Sequence, residues 1–260
     1  MALICPQRAK SGDFAAVRRS IRDTYPRAAL DALIDSTVTE VRAITRGKRC
    51  AYAWSGGKDS IAIRHIAQLA GIERGMIAVS DGLEYPAFTR WLDQNLPAGC
   101  DVVRQPINLT WLAAHDSMLF PGSANVAARW FKLVQQNAQD RYFHANNLDL
   151  ILLGRRRADG NYVGRNGNIY TTSRGVTRYS PLDRWSHEDV LALIEHYSYK
   201  TPPFYDWPRG YQCSTHCWPS RQYCASRDQG FAEVHEIDAS IIPDAARVLP
   251  AAREWLERFA

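Results

Sequence analysis

Ser55-Gly56-Gly57-Lys58-Asp59-Ser60 follows the apolar run Ala51-Tyr52-Ala53-Trp54 directly. Two adjacent glycines let the backbone bend tightly and turn successive N–H groups toward an oxyanion. Lys58 adds a mobile positive charge. Residues 61–70 carry apolar side chains at helical spacing, which places the loop at a helix N-terminus, where the dipole favours an anion. The chemistry implied is phosphate binding, with Ser55, Gly56, Gly57 and Ser60 as the cradle and Lys58 as charge stabiliser. The string lacks the four residues between glycine and Gly-Lys-Ser/Thr that a Walker A loop requires.

Other groups extend this chemistry. Gly154-Arg155-Arg156-Arg157 follows an apolar segment, and guanidinium forks match phosphate oxygens two at a time. At least one of the three arginines is expected to clamp a diphosphate, with Arg157 placed beside Lys58 and Asp59 as catalytic and Gly154, Arg155 and Arg156 as nucleotide-binding. Asp59, Asp81 and Glu84 are carboxylates near the expected phosphate site. Magnesium prefers few carboxylates together with phosphate oxygens and water, so Asp59 could touch such an ion, or equally cap the following helix. Cys213, Cys217 and Cys224, with His216 among them and His235 further on, could hold zinc or an iron–sulfur cluster, or could be buried thiols. Cys5, Cys50 and Cys100 are scattered and read as packing residues, as do His65, His115, His144, His187 and His196 as packing or surface residues. Trp185, Trp207 and Trp218 are expected to pack the second half of the chain against the sheet.

The elements that must position these groups alternate. A helix over 28–44 leads to strands at 49–54, 76–80, 101–106 and 148–153, with helices near 87–95 and 126–146. Alternating strands and helices give a parallel α/β sheet with helices on both faces, whose ligands sit beyond the carboxyl ends of the strands. Residues 161–178, rich in glycine, asparagine and arginine, suggest a hairpin or flap. Ser186 and Asp189 make a capping box for a short helix reaching residue 197. The domain reading is a helical segment over 1–44, an α/β nucleotide-binding domain over 45–185 and a helical, cysteine-containing portion over 186–260.

The 260 residues are 46% hydrophobic and 23% charged, as in a globular protein, and no apolar run approaches the roughly 18 residues of a membrane span. The first ten residues lack the pattern of an export signal, so a cytoplasmic address is expected and thiol or metal chemistry is preferred to disulfides for the six cysteines. A net charge of +5 is compatible with nucleotide or nucleic-acid partners without establishing either.

Ser-Gly-Gly-Lys-Asp-Ser resembles the PP-loop of ATP pyrophosphatases. Joined by Ser-Asp-Gly-Leu-Glu-Tyr-Pro at 80–86, Gly-Arg-Arg-Arg-Ala-Asp at 154–159, Tyr-Ser-Pro-Leu-Asp-Arg-Trp-Ser-His-Glu-Asp-Val at 179–190 and Pro-Pro-Phe-Tyr-Asp at 202–206, it resembles the phosphoadenosine phosphosulfate reductase-like family over roughly 45–225. That resemblance implies an adenine nucleotide alpha-hydrolase-like (Rossmann-like) fold with a small C-terminal portion. Reductases of the family resemble a group that has lost the Lys-Asp pair and carries a Glu-Cys-Gly tail. Here Lys58-Asp59 is intact and no cysteine follows Cys224. The expectation is therefore an enzyme that binds ATP with Mg2+ and adenylates an acceptor with release of pyrophosphate, within nucleic-acid modification or sulfur transfer. The alternatives are a sulfonucleotide reductase and a non-catalytic nucleotide-binding subunit that assists a partner protein of a nucleic-acid-modifying system.

Overall fold

The computed structural model describes residues 14–259; Cys5 and the N-terminal ten residues read for an export signal lie outside them. Among the described residues, six strands form one sheet in the order β3-β2-β1-β4-β6-β5: β1 Cys50–Trp54, β2 Gly75–Val79, β3 Cys100–Arg104, β4 Leu150–Leu152, β5 Ile169–Thr171 and β6 Thr177–Tyr179. β1 pairs in parallel with β2 and β4, and β4 with β6, while β5 is antiparallel to β6. The parallel α/β class expected from the alternating elements is what the chain adopts. Leu150, Ile151 and Leu152 on β4 and all five residues of β2 are buried, which explains why these strands read as unbroken apolar runs.

The chain divides into two compact units. The first comprises the described residues through Ala78, with Leu96–Val103 and Asn137–Pro202. In it, helix Lys58–Leu69 packs on β1 and against helices Arg27–Thr45 and His187–His196, and helix Asn137–Ala145 packs on β4. Helix Arg27–Thr45 turns Leu30, Ile34, Val38 and Val41 inward at the spacing of a single helical face. Two polar bonds fix it further: Trp185 Nε1 donates to Thr37 Oγ1 at 3.1 Å and Tyr179 Oη donates to Glu40 at 2.9 Å. Trp185 thus packs on this helix.

The second unit comprises Val79–Asn95, Arg104–Gln136 and Pro203–Ala260. Its core includes Phe120 set edge-on to Phe231 at 5.0 Å between centroids. Helices Arg227–Ile237, Ile241–Ala246 and Pro250–Phe259 pack on one another. Trp207 lies against Tyr85 and Phe204, and Trp218 against Phe120.

Two expectations change. The single helix over 126–146 is an α-helix at Ala124–Phe131, a π-helical turn at Lys132–Gln136 and a second α-helix at Asn137–Ala145; the wider turn shifts the apolar face, which a 3.6-residue period cannot show. The segment over 161–178 is a hairpin, as expected, but its second strand also extends the parallel sheet beside β4. Its strands have only three residues each, β5 is largely exposed and β6 carries a buried arginine, so no apolar run announces that pairing. No helix among the described residues is long and apolar enough to cross a membrane.

Candidate functional site

The loop after β1 is held by its own serines. Ser60 Oγ accepts from the Ser55 N–H at 3.0 Å, donates to the Gly57 carbonyl at 2.8 Å and lies 3.2 Å from Ser55 Oγ. Gly56 sits at φ +72°, a region that a side chain disfavours, and this lets the chain reverse within the loop. Gly57 is the N-cap of helix Lys58–Leu69 and brings no side-chain acceptor, so the first turn has no capping side chain from that position. Ser60 therefore braces the loop from within. Ser60→Ala is expected to cost about 1 kcal/mol, the worth of a net hydrogen bond, and to weaken phosphate binding because the loop loses its preset shape; thermal melts and nucleotide titration check both.

Lys58 and Asp59, adjacent in sequence, form the first part of a charge chain. The Lys58 ammonium is 2.9 and 2.7 Å from the two Asp59 oxygens, and the lysine side chain is only 2% exposed. Arg156 Nε donates to the same carboxylate at 2.8 Å, and Arg156 Nη2 lies 2.8 Å from Asp159. Arg156 is fully buried. Its remaining contacts are the Trp185 carbonyl at 3.4 Å from Nη1 and His187 Nδ1 at 3.1 Å from Nη2. Two cations and two carboxylates thus share one buried cluster at the helix start, with His187 at its edge. Burial and the nearby Lys58 and Arg156 charges push the His187 pKa down to about 4, so its ring is neutral at neutral pH.

Backbone proximity makes this cluster possible. A Cβ on Gly154 would stand 2.5 Å from the Asp59 carbonyl oxygen and 2.8 Å from its carbon. Glycine at the end of β4 is what allows the arginine segment to lie against the loop.

The three arginines separate sharply. Arg156 reaches the loop, whereas Arg157 Nε pairs with Asp183 at 3.0 Å and its Nη2 donates to the Gly167 carbonyl at 2.7 Å. Arg155 Nη1 donates to Tyr170 Oη at 2.7 Å and the Tyr162 carbonyl at 3.2 Å; burial lowers its pKa, against the partial support of Tyr170. The structure thus brings Arg156, and not Arg157, against Asp59. Of the residues that sequence reasoning left aside, Asp159 and His187 join the cluster. Asp159 was legible inside the Gly-Arg-Arg-Arg-Ala-Asp string; His187 carried no signal beyond its place at the start of a capped helix, where Ser186 and Asp189 do form the expected capping box.

In the second unit, Asp81 is exposed and its N–H donates to the Ile107 carbonyl. Glu84 turns back on Ser80, whose hydroxyl donates to it at 2.8 Å, and lies 3.7 Å from His216 Nδ1. Burial would raise the Glu84 pKa, but the His216 and Ser80 contacts prevail and lower it. The three clustered cysteines take different partners. Cys213 Sγ donates to the Gln222 carbonyl, Cys217 forms a backbone bridge with Glu84, and Cys224 Sγ lies 3.7 Å from Arg209 Nη2. Among the described residues no group of three His, Cys, Asp or Glu side chains is arranged to hold a metal ion. Cys213 and Cys224 share Arg209 and Glu233 as charged neighbours, whereas Cys217 faces Glu84 and Ser220. Burial raises the pKa of all three.

Compared with known proteins, the sequence matches the phosphoadenosine phosphosulfate reductase domain over residues 49–220. A comparison with curated proteins gives no match. Among solved structures the chain is similar to phosphoadenylyl-sulfate (PAPS) reductase from Candida auris in its phosphate complex, at 15% identity and a TM-score of 0.47, covering 70% of this chain and 91% of that one. It is also similar to NAD+ synthetase from Burkholderia pseudomallei, at 18% identity and a TM-score of 0.40, covering 94% of this chain and 97% of that one. The domain match takes in β1, the glycine loop, the arginine segment and the capped helix, about two thirds of the sequence. The chain therefore belongs to the phosphoadenosine phosphosulfate reductase domain family.

Proposed function

We propose that the loop at Ser55–Ser60 binds the β- and γ-phosphates of ATP and that the protein transfers the adenylyl group to an acceptor. The acceptor oxygen or nitrogen attacks the α-phosphorus, the bond from that phosphorus to the bridging oxygen of the β-phosphate breaks, and pyrophosphate leaves with the electron pair. The observation that carries this reading is the intact Lys58–Asp59 pair at the start of a helix, joined to the buried Arg156. Two cations held beside a glycine turn supply stabilisation for charge that grows on a departing diphosphate, once phosphate oxygens replace Asp59 as their partner. Asp59 serves as the link between them. With its two oxygens held by Lys58 and Arg156, its carboxylate is a poor fit for magnesium, and the ion is carried by the nucleotide's own phosphates.

Reductive chemistry at a cysteine is the competing reading within the family. It needs a thiolate, and burial opposes ionisation at Cys213, Cys217 and Cys224, which supports adenylation as the better account. The acceptor class we favour is a nucleic-acid base or backbone group.

Lys58→Ala is expected to weaken ATP binding and to slow pyrophosphate release in the presence of nucleic-acid acceptors by about a hundredfold or more, the loss in turnover that follows removal of one preset donor elsewhere. Unchanged ATP affinity would remove the loop from the mechanism. Thioredoxin-dependent sulfite release from a sulfonucleotide would favour the reductase, and ATP binding with no turnover on any acceptor would favour a binding subunit.

A further inference from the structure

His187 opens helix His187–His196 and meets the buried cluster with Nδ1 facing Arg156 and Nε2 on the side of Asp159. The Nδ1 contact fixes its chemistry. Arg156 Nη2 lies 3.1 Å from His187 Nδ1, and a guanidinium nitrogen is always a donor and never an acceptor. Nδ1 must therefore offer a lone pair, so the ring is neutral and its proton sits on Nε2. Nε2 is 3.8 Å from Asp159 Oδ1, beyond hydrogen-bond reach but on the side where an N–H dipole faces a carboxylate.

From this geometry we infer that His187 is a positioning residue: its neutral Nε2–H tautomer holds the Arg156 fork in the plane that meets Asp59 and, through it, Lys58. The inference deepens the nucleotide-binding reading and rests on it for its consequence, since the group being positioned is the loop's second cation. Arg156 otherwise has its Nε on Asp59, its Nη1 on the Trp185 carbonyl and its Nη2 near Asp159. The His187 contact adds a further anchor at the Nη2 end. Protonation would replace that acceptor with another N–H donor and add a third cation among Lys58, Arg156, Asp59 and Asp159, the charged groups that face the ring. The surroundings resist it, with the histidine pKa depressed to about 4 by burial and by the Lys58 and Arg156 charges. The sign follows: a histidine kept neutral in the fold binds its proton first in the unfolded chain. Its contribution to stability is therefore complete above about pH 6.5 and is lost as pH falls toward 4.

The test uses the full chain labelled with 15N-histidine. In the nucleotide-free protein, the imidazole spectrum is expected to show a resonance, assigned by its absence from His187→Gln, with Nδ1 unprotonated and Nε2 protonated at pH 7 and unchanged to pH 5. An Nδ1–H tautomer or an imidazolium at pH 7 overturns the inference, whatever the nucleotide experiments show. A second arm compares ATP affinity at pH 7.5. His187→Gln, which keeps an acceptor of similar reach, is expected to bind within threefold of the parent, while His187→Leu, of similar fold by circular dichroism, binds about tenfold more weakly, the worth of roughly one charge-assisted hydrogen bond. Equal affinity of the leucine variant, with Lys58→Ala still impaired, overturns the positioning role and leaves the loop reading intact. If Lys58→Ala binds ATP normally, the loop reading itself fails.

Discussion

Gly154→Ala is expected to disable the loop without touching any charged group. The added methyl carbon would lie 2.5 Å from the Asp59 carbonyl oxygen, 2.8 Å from the carbonyl carbon and 3.3 Å from the Ser60 nitrogen. All three are backbone atoms in the first turn of a helix, so no rotamer change relieves the contact. Either β4 or the start of helix Lys58–Leu69 must move, and both are packed against β1. Overpacking of a dense interior costs about 1–3 kcal/mol, and here the strain falls on the residues that shape the proposed phosphate cradle. A lowered melting temperature with loss of ATP binding is the expected pair of results. Near-normal binding would mean that the loop tolerates a shift of several tenths of an ångström, and the rigid cradle argument would fall with it. Valine at this position should be worse than alanine, whereas glycine's conformational freedom is not the issue, since the residue is not among those with positive φ.

Arg156→Met is the second large effect, and its comparison with Arg157→Ala gives it meaning. Arg156 is fully buried and lies within bonding distance of two carboxylates, Asp59 and Asp159. Removing the cation leaves Lys58 to face both negative charges in a site shielded from water. Breaking one partner out of a buried ion pair typically costs about 3–5 kcal/mol, because the remaining charge keeps its desolvation penalty without its compensation. Arg157 pairs with Asp183 from a side chain that is half exposed, and exposed pairs contribute roughly 0–1 kcal/mol. Urea denaturation of the two variants should therefore separate them by several-fold in destabilisation, and ATP titration should show a loss for Arg156→Met that Arg157→Ala does not share. If the two arginines behave alike, the cluster has been assigned the wrong residue. Arg156→Lys is the informative intermediate: it keeps the charge but lacks the planar fork that bonds Asp59, Asp159 and the Trp185 carbonyl from separate nitrogens.

Placing two buried cations next to a glycine turn has a cost that the surrounding residues explain. Neutral His187, the paired carboxylates and the Trp185 carbonyl leave the cluster with no net charge in the absence of ligand, counting Lys58 and Arg156 against Asp59 and Asp159. An arriving phosphate then competes with Asp59 for Lys58 and Arg156, so part of the attraction is exchanged. This is consistent with a site that binds a nucleotide reversibly. It also explains why Asp59 is adjacent to Lys58: the first turn of a helix favours a carboxylate, and a neighbouring carboxylate keeps a buried lysine charged.

What the sequence determined by itself was local. An apolar strand, a glycine pair and a helix-spaced run are contiguous, so the glycine loop and the helix that follows depend on backbone preferences within about a dozen residues. The capping box at Ser186 and Asp189 and the parallel α/β class were legible for the same reason, since each is written in a short spacing or in an alternation of short segments. The tertiary structure alone decided which arginine meets the loop. Three consecutive arginines are equivalent in charge, and only the direction in which β4 delivers each, 97 positions from Asp59 in the case of Arg156, separates the fork that meets Asp59 from the half-buried Arg155 and the exposed Arg157. It likewise decided that His187 meets Arg156 and that Cys213, Cys217 and Cys224, close in the sequence, make different hydrogen bonds or backbone contacts. Spacing along a chain fixes distances only over a turn or two of regular structure; beyond that, packing of distant segments sets which side chains meet.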